Sequence, residues 1–69
     1  MVRYKKSVRS GVIRIPKPVV EAFGDEVEMT PNQIALAIYP SSEDKRNVIK
    51  SLELIIKDLE LEIEREQGS

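Results

Sequence analysis

The chain has 69 residues, no cysteine and no histidine, a net charge of -1, and 41% apolar residues, of which only Tyr4, Phe23 and Tyr39 are aromatic. Such a length allows one domain at most and too little buried surface to hold a core unaided; disulfides and zinc being absent, self-association is the expected source of the missing stability. No apolar run approaches the roughly 20 residues of a membrane span, the N-terminus lacks a signal-peptide core, and without histidine, cysteine or a glycine-rich loop there is no catalytic pair, metal site or cofactor cradle to build.

The small net charge conceals a separation of sign. From Met1 to Pro18 there are six cations, Arg3, Lys5, Lys6, Arg9, Arg14 and Lys17, and no acid, whereas Val19 to Ser69 carries twelve acids against five cations. The N-terminal part suits a polyanion and the remainder would repel one. A solubilising face or a guarded strand edge is the competing reading of such a stretch, but protective surfaces normally mix signs. Absence of cysteine fits a reducing cytoplasm.

In chain order, Val2 to Arg9 alternates loosely, with Val2, Tyr4 and Val8 on one side and cations on the other, which predicts a strand with a polar outer face. Tyr4 on that pattern reads as core rather than as a platform for a base. Ser10-Gly11 is a two-residue turn, and Val12 to Ile15 resumes the alternation with Ile13 and Ile15 inward. That loop would set Arg9 opposite Val12 and Ser7 opposite Arg14, so that Arg3, Lys5, Arg9 and Arg14 share one surface. Pro16 and Pro18 suit a helix start and no other part of a helix. A short helix from about Lys17 to Phe23 follows, with Gly24 as its left-handed stop. Val27 and Met29 alternate with Glu26 and Glu28, a turn is expected at Thr30-Pro31-Asn32-Gln33, and Ile34 to Tyr39 forms an apolar strand with Ile34, Leu36 and Ile38 inward. Glu26 and Glu28 read as solvent-facing strand positions.

Pro40 closes this module. Ser41-Ser42-Glu43-Asp44 then predicts a serine cap followed by acids in a helical first turn. Ile49, Leu52, Ile56, Leu59 and Ile63 recur at spacings of three, four, three and four, a heptad seam with isoleucine at a and leucine at d, the combination of a parallel two-stranded coil. Val48 and Ile55 widen the stripe, while Leu54 and Leu61 fall on the far side and imply a second contact. The tail, with Glu53, Glu60, Glu62, Glu64 and Glu66, is too acidic to lie on DNA. Gly68-Ser69 has the composition of an expression-vector remnant.

The order hairpin, glycine, strand, Ile-Pro, short helix, glycine, aspartate, hairpin is carried by Gly11, Ile13, Ile15-Pro16, Val19, Phe23, Gly24, Asp25, Val27 and Ile34 to Ile38. On those residues the stretch from about Tyr4 to Tyr39, roughly half the chain, resembles the swapped-hairpin domain of the AbrB, MazE and SpoVT family of prokaryotic DNA-binding regulators. The resemblance implies an α+β fold: two β-hairpins flank a short helix, and two chains interleave them into a small barrel-like dimer. It also implies DNA contacts from cations on the first hairpin and the short helix, where Lys5 and Lys6 occupy the expected first-strand positions. Where family members commonly carry arginines, after the turn glycine and on the helix, this chain has Val12, Val20 and Glu21; Arg14 stands two positions beyond Val12 on the same expected face.

The sequence therefore predicts residues 1–40 as a swapped-hairpin DNA-binding domain and 41–67 as an amphipathic helix for oligomerisation, with 68–69 as the remnant. The expected function is a cytoplasmic, homodimeric or tetrameric transcriptional regulator that binds double-stranded DNA through Arg3, Lys5, Lys6, Arg9, Arg14 and Lys17, Arg9 and Arg14 reaching base edges. Ile13, Ile15, Ile49, Leu52, Ile56, Leu59 and Ile63 hold the copies together, and no cofactor, metal or membrane is involved. Two other readings stand beside it: the antitoxin of a toxin–antitoxin pair, whose tail helix grips the toxin, and an oligomerisation or adaptor module that touches no nucleic acid.

Overall fold

The structure is a computed structural model that describes residues 1–68; Ser69, the last residue of the expected remnant, lies outside the described residues. Its elements are helix α1 (Lys17–Phe23), strand β1 (Val27–Pro31), strand β2 (Leu36–Pro40) and helix α2 (Lys45–Gly68). The mixed α+β class expected from the sequence is present as one antiparallel hairpin and a long C-terminal helix.

Helix α1 begins where two prolines permit it. Pro16 caps it at φ -56°, its carbonyl accepts the amides of Val19 and Val20 at 3.0 and 3.2 Å, and Pro18 occupies the first turn, where no amide hydrogen is needed. The helix stops at Gly24, whose N–H donates to the Val20 carbonyl at 3.1 Å. Gly24 has φ 82° as expected, but ψ is -161°, so the chain leaves the helix extended instead of curling into an ordinary left-handed cap.

The hairpin pairs Val27 with Pro40, Glu28 with Tyr39, Met29 with Ile38, Thr30 with Ala37 and Pro31 with Leu36. The expected turn at Thr30 to Gln33 is displaced: Thr30 and Pro31 belong to β1, and the reversal falls on Asn32 to Ala35. Asn32 is the reason. Its Oδ1 accepts the amides of Ile34 and Ala35 at 3.0 and 2.8 Å, and its own N–H donates to the Ala35 carbonyl at 2.9 Å, so one asparagine satisfies a turn that proline would only have shaped. Hydrogen-bonded pairs alternate along an antiparallel ladder. With Asn32–Ala35 bonded at one end and the Ser41 N–H on the Glu26 carbonyl at the other, both prolines fall on non-bonded rungs, where a missing amide costs nothing. Ile34, expected inward on a strand, instead projects from the turn and is 98% exposed.

A second correction concerns the first hairpin. The Ser10-Gly11 turn forms, with φ 54° and 73°, the doubly positive pair of a tight two-residue hairpin loop, and Arg9 and Val12 exchange both backbone bonds at 3.3 and 2.9 Å. The ladder ends there: Val2 to Val8 and Ile13 to Ile15 are not strands, and Ser7 does not pair with Arg14. A two-stranded ribbon needs another layer against its apolar face, and within one chain Val2, Val8, Val12 and Ile13 all remain open to solvent. Ser10 holds a left-handed backbone that favours asparagine or glycine. Ser10→Asn is expected to raise the melting temperature by about 4 °C, a gain near 1 kcal/mol, as thermal circular dichroism would read.

Helix α2 starts later than the serines suggest, and Asp44 replaces them as its cap. Its Oδ1 accepts the Arg46 amide at 2.8 Å and its carbonyl accepts those of Asn47 and Val48 at 3.0 and 3.1 Å. Aspartate ranks with serine as a cap and also meets the helix dipole with charge. Glu43 lies one residue before, holding Asn47 Nδ2 at 2.9 Å. Lys45 ties the helix to the hairpin: Nζ donates to Glu28 Oε2 at 2.8 Å and lies 5.2 Å from the Tyr39 ring centre, while the Tyr39 hydroxyl meets Thr30 Oγ1 at 3.0 Å. The Glu28 hydrogen bond holds the Lys45 ammonium above its usual pKa.

What core there is sits between α1, β2 and α2. Val48, 8% exposed, is the only buried apolar residue among those described, and with Phe23, Ile38, Tyr39 and Leu52 it lines an open recess of about 430 Å³. A folded monomer of 7.9 kDa should expose about 4,400 Å², whereas this chain exposes 6547 Å². Its radius of gyration is 13.9 Å, against about 11 Å for a compact chain of this length.

Candidate nucleic-acid interface

The N-terminal cations reach solvent by different local routes. Arg9 flanks the Ser10-Gly11 turn, with its backbone fixed by the two bonds to Val12 and its side chain free. Arg14 belongs to the extended run into Pro16, and Lys17 is the first residue of α1. The first turn of α1 contains no acid, so this lysine meets the positive end of the helix dipole and is not there to stabilise the helix. Lys6 Nζ lies 5.9 Å from the ring centre of Tyr4, a residue expected inward and found exposed. Lys5, Lys6, Arg9, Arg14 and Lys17 have no carboxylate partner among the described residues.

Arg3 is placed differently from the other five. Its guanidinium forks across α2, Nη1 donating to Glu62 Oε2 at 2.7 Å and Nη2 to Asp58 Oδ2, and the terminal ammonium of Met1 lies 3.4 Å from the other oxygen of Asp58. The acidic helix thus holds the start of the basic arm. Arg3 is 44% exposed in this arrangement, and ion pairs so open to water contribute little, on the order of 0 to 1 kcal/mol. They are readily exchanged for another anion. Read from the sequence, Glu62 is only one of the acids of the tail and Asp58 has no assigned role; their spacing of four on one helix side is the signal that they could clasp one guanidinium.

The apolar residues expected to join copies stay open. Ile13, Ile15, Ile49, Ile56, Leu59 and Ile63 are all exposed in the single chain, and Leu52, which borders the recess, is half-buried. Leu54 and Leu61, on the far side of α2, are exposed as well. Among the described residues no group of three or more histidine, cysteine or acidic side chains is placed to hold a metal ion, and no helix is long and apolar enough to cross a membrane.

Apart from Arg3, the surface therefore offers cations without a carboxylate partner among the described residues, next to a backbone pinned at one tight turn. Comparisons with protein-family models, with curated proteins and with solved structures return no match for this chain.

Proposed function

We propose that the protein is a homodimeric, sequence-specific DNA-binding transcriptional regulator of the cytoplasm, built on an interleaved hairpin dimer of AbrB type. One observation carries this reading: Lys5, Lys6, Arg9, Arg14 and Lys17 lie in the first quarter of the chain with no acid among them and no carboxylate engaging them, while every acid of the chain lies at Glu21 or beyond. Phosphates are the partner such an array fits. Dimerisation is supported by the surplus of exposed surface, about 2,100 Å² beyond a compact monomer of this mass, and by the unfinished first hairpin, which a second copy would complete. Two-fold symmetry then presents every cation twice, and the target is a pseudo-palindrome.

Titrating DNA from upstream of the protein's own gene against a scrambled duplex, at several salt concentrations, tests the reading. With about six phosphates neutralised per dimer, the slope of log K against log salt should be near -5, and the upstream duplex should bind more tightly than the scrambled one. Absence of duplex binding even at low salt rejects the DNA reading in favour of an adaptor module.

A further inference from the structure

We infer that α2 carries a second self-association surface, separate from the hairpins, in which the seam Ile49–Leu52–Ile56–Leu59–Ile63 pairs in parallel and in register with the same seam of a second copy. The inference rests on the homodimeric part of the proposed function and not on its DNA part.

The helix is already in use on a different side. Asn47, Ser51 and Ile55 line the recess against α1 and β2, and Asp58 and Glu62 hold the N-terminal arm. These five recur at spacings of four, four, three and four and form one stripe, and Val48, the buried residue of the recess, flanks it. The seam is the neighbouring stripe. Only its first turn touches the recess, through Leu52; Ile49, Ile56, Leu59 and Ile63 are each about half exposed. Four large aliphatic side chains in a row with no cover demand a partner in water.

Area and charge identify that partner as the chain itself. An interface of ordinary size covers about 800 Å² on each side, so the surplus of about 2,100 Å² per chain is large enough for two contacts, one on the hairpin half and one on α2. Isoleucine at a and leucine at d pack best between two parallel helices. Residues flanking the seam point to the same direction. In a parallel pair, each g residue meets the e residue five positions on in the partner. The meetings are then Val48 with Glu53, Ile55 with Glu60 and Glu62 with Gln67, none of them between like charges. An antiparallel pair runs e against e and lines Glu53 and Glu60 of one helix along those of the other, which repels.

The absence of native cysteine makes direction directly readable. Ile49→Cys and Ile63→Cys are made separately in the full chain, oxidised mildly, and compared with Lys50→Cys, which faces away from the seam. Fourteen residues of helix separate the first two by about 21 Å, and a disulfide forms only where the two Cα atoms come within about 7 Å. Parallel pairing predicts that each of the two seam variants links to itself and that Lys50→Cys does not. Linkage only when the two seam variants are mixed would establish the antiparallel arrangement and overturn the inference. No linkage by either variant, in a protein whose mass is still dimeric, would overturn it while leaving the hairpin dimer in place. A monomeric mass for the unmodified protein at micromolar concentration would remove both. Leu52→Cys, one turn along, replaces Ile49→Cys should that variant lose its helical dichroism.

Discussion

Replacing Arg9 and Arg14 together with alanine is expected to weaken duplex binding about a thousandfold at low salt and to flatten the salt dependence by between three and four units. The arithmetic follows from symmetry. Two cations lost per chain are four lost per dimer; at about 1 kcal/mol for each exposed charged contact, some 4 kcal/mol disappears, or nearly three decades in affinity. If all four touch phosphate, each accounts for roughly 0.9 of slope. The fold should not change: both side chains are free of carboxylate partners, and the Arg9–Val12 bonds are made by backbone atoms that alanine retains. The pattern across sequences separates two roles. Uniform loss on upstream and scrambled DNA marks phosphate contacts, whereas a larger loss on the upstream duplex marks base contacts. Arg3→Ala is the internal comparison. Because its guanidinium must first leave Asp58 and Glu62, its removal should cost less than that of either unpaired arginine. An unchanged slope in the double variant would take both residues out of the interface.

Local chemistry decides how much of this could be read from the residues. The bounds of α1 follow from Pro16, Pro18 and Gly24, each of which acts on its own backbone, and they agree with the sequence reading. The Ser10-Gly11 turn agrees for the same reason. Near misses occurred where two residues competed for one local task. Asn32 displaced Pro31 as the organiser of the second turn because its side-chain oxygen satisfies two amides. Asp44 displaced Ser41 and Ser42 as the cap of α2 because an aspartate cap also gains from the dipole. The ladder of the first hairpin could not be fixed locally, since its strands need a facing layer that this chain does not itself supply. Least legible was the clasp of Arg3 on α2, which joins residues 55 and 59 positions apart. Hydrophobic period and turn chemistry carry no information over such a separation. Of the expected interface, the unpaired cations were legible in the sequence and the engagement of Arg3 was not.

Gly24→Ala is expected to lower the melting temperature by roughly 8 to 16 °C, and Gly24→Asn should do no better. Ordinary helix stops place glycine in the left-handed region, where asparagine is the usual substitute. Gly24, however, combines φ 82° with ψ -161°, an extended mirror-image conformation that is essentially closed to any residue with a Cβ, at a cost of about 1 to 3 kcal/mol. Crowding does not contribute, since a Cβ built there meets nothing within 4 Å; the whole penalty is torsional. A cost near 2 kcal/mol shifts the transition of so small a domain by 4 to 8 °C for each kcal/mol, out of a total stability of only about 3 to 10 kcal/mol. The effect should also reach beyond the helix. Gly24 closes α1 on Val20 and then launches the chain towards β1, so the Phe23 wall of the recess and the hairpin opposite take their relative placement from this one backbone. Thermal melts of wild type, Gly24→Ala and Gly24→Asn decide the matter. If asparagine restores the wild-type transition, Gly24 is an ordinary left-handed cap and the extended exit from α1 is wrong.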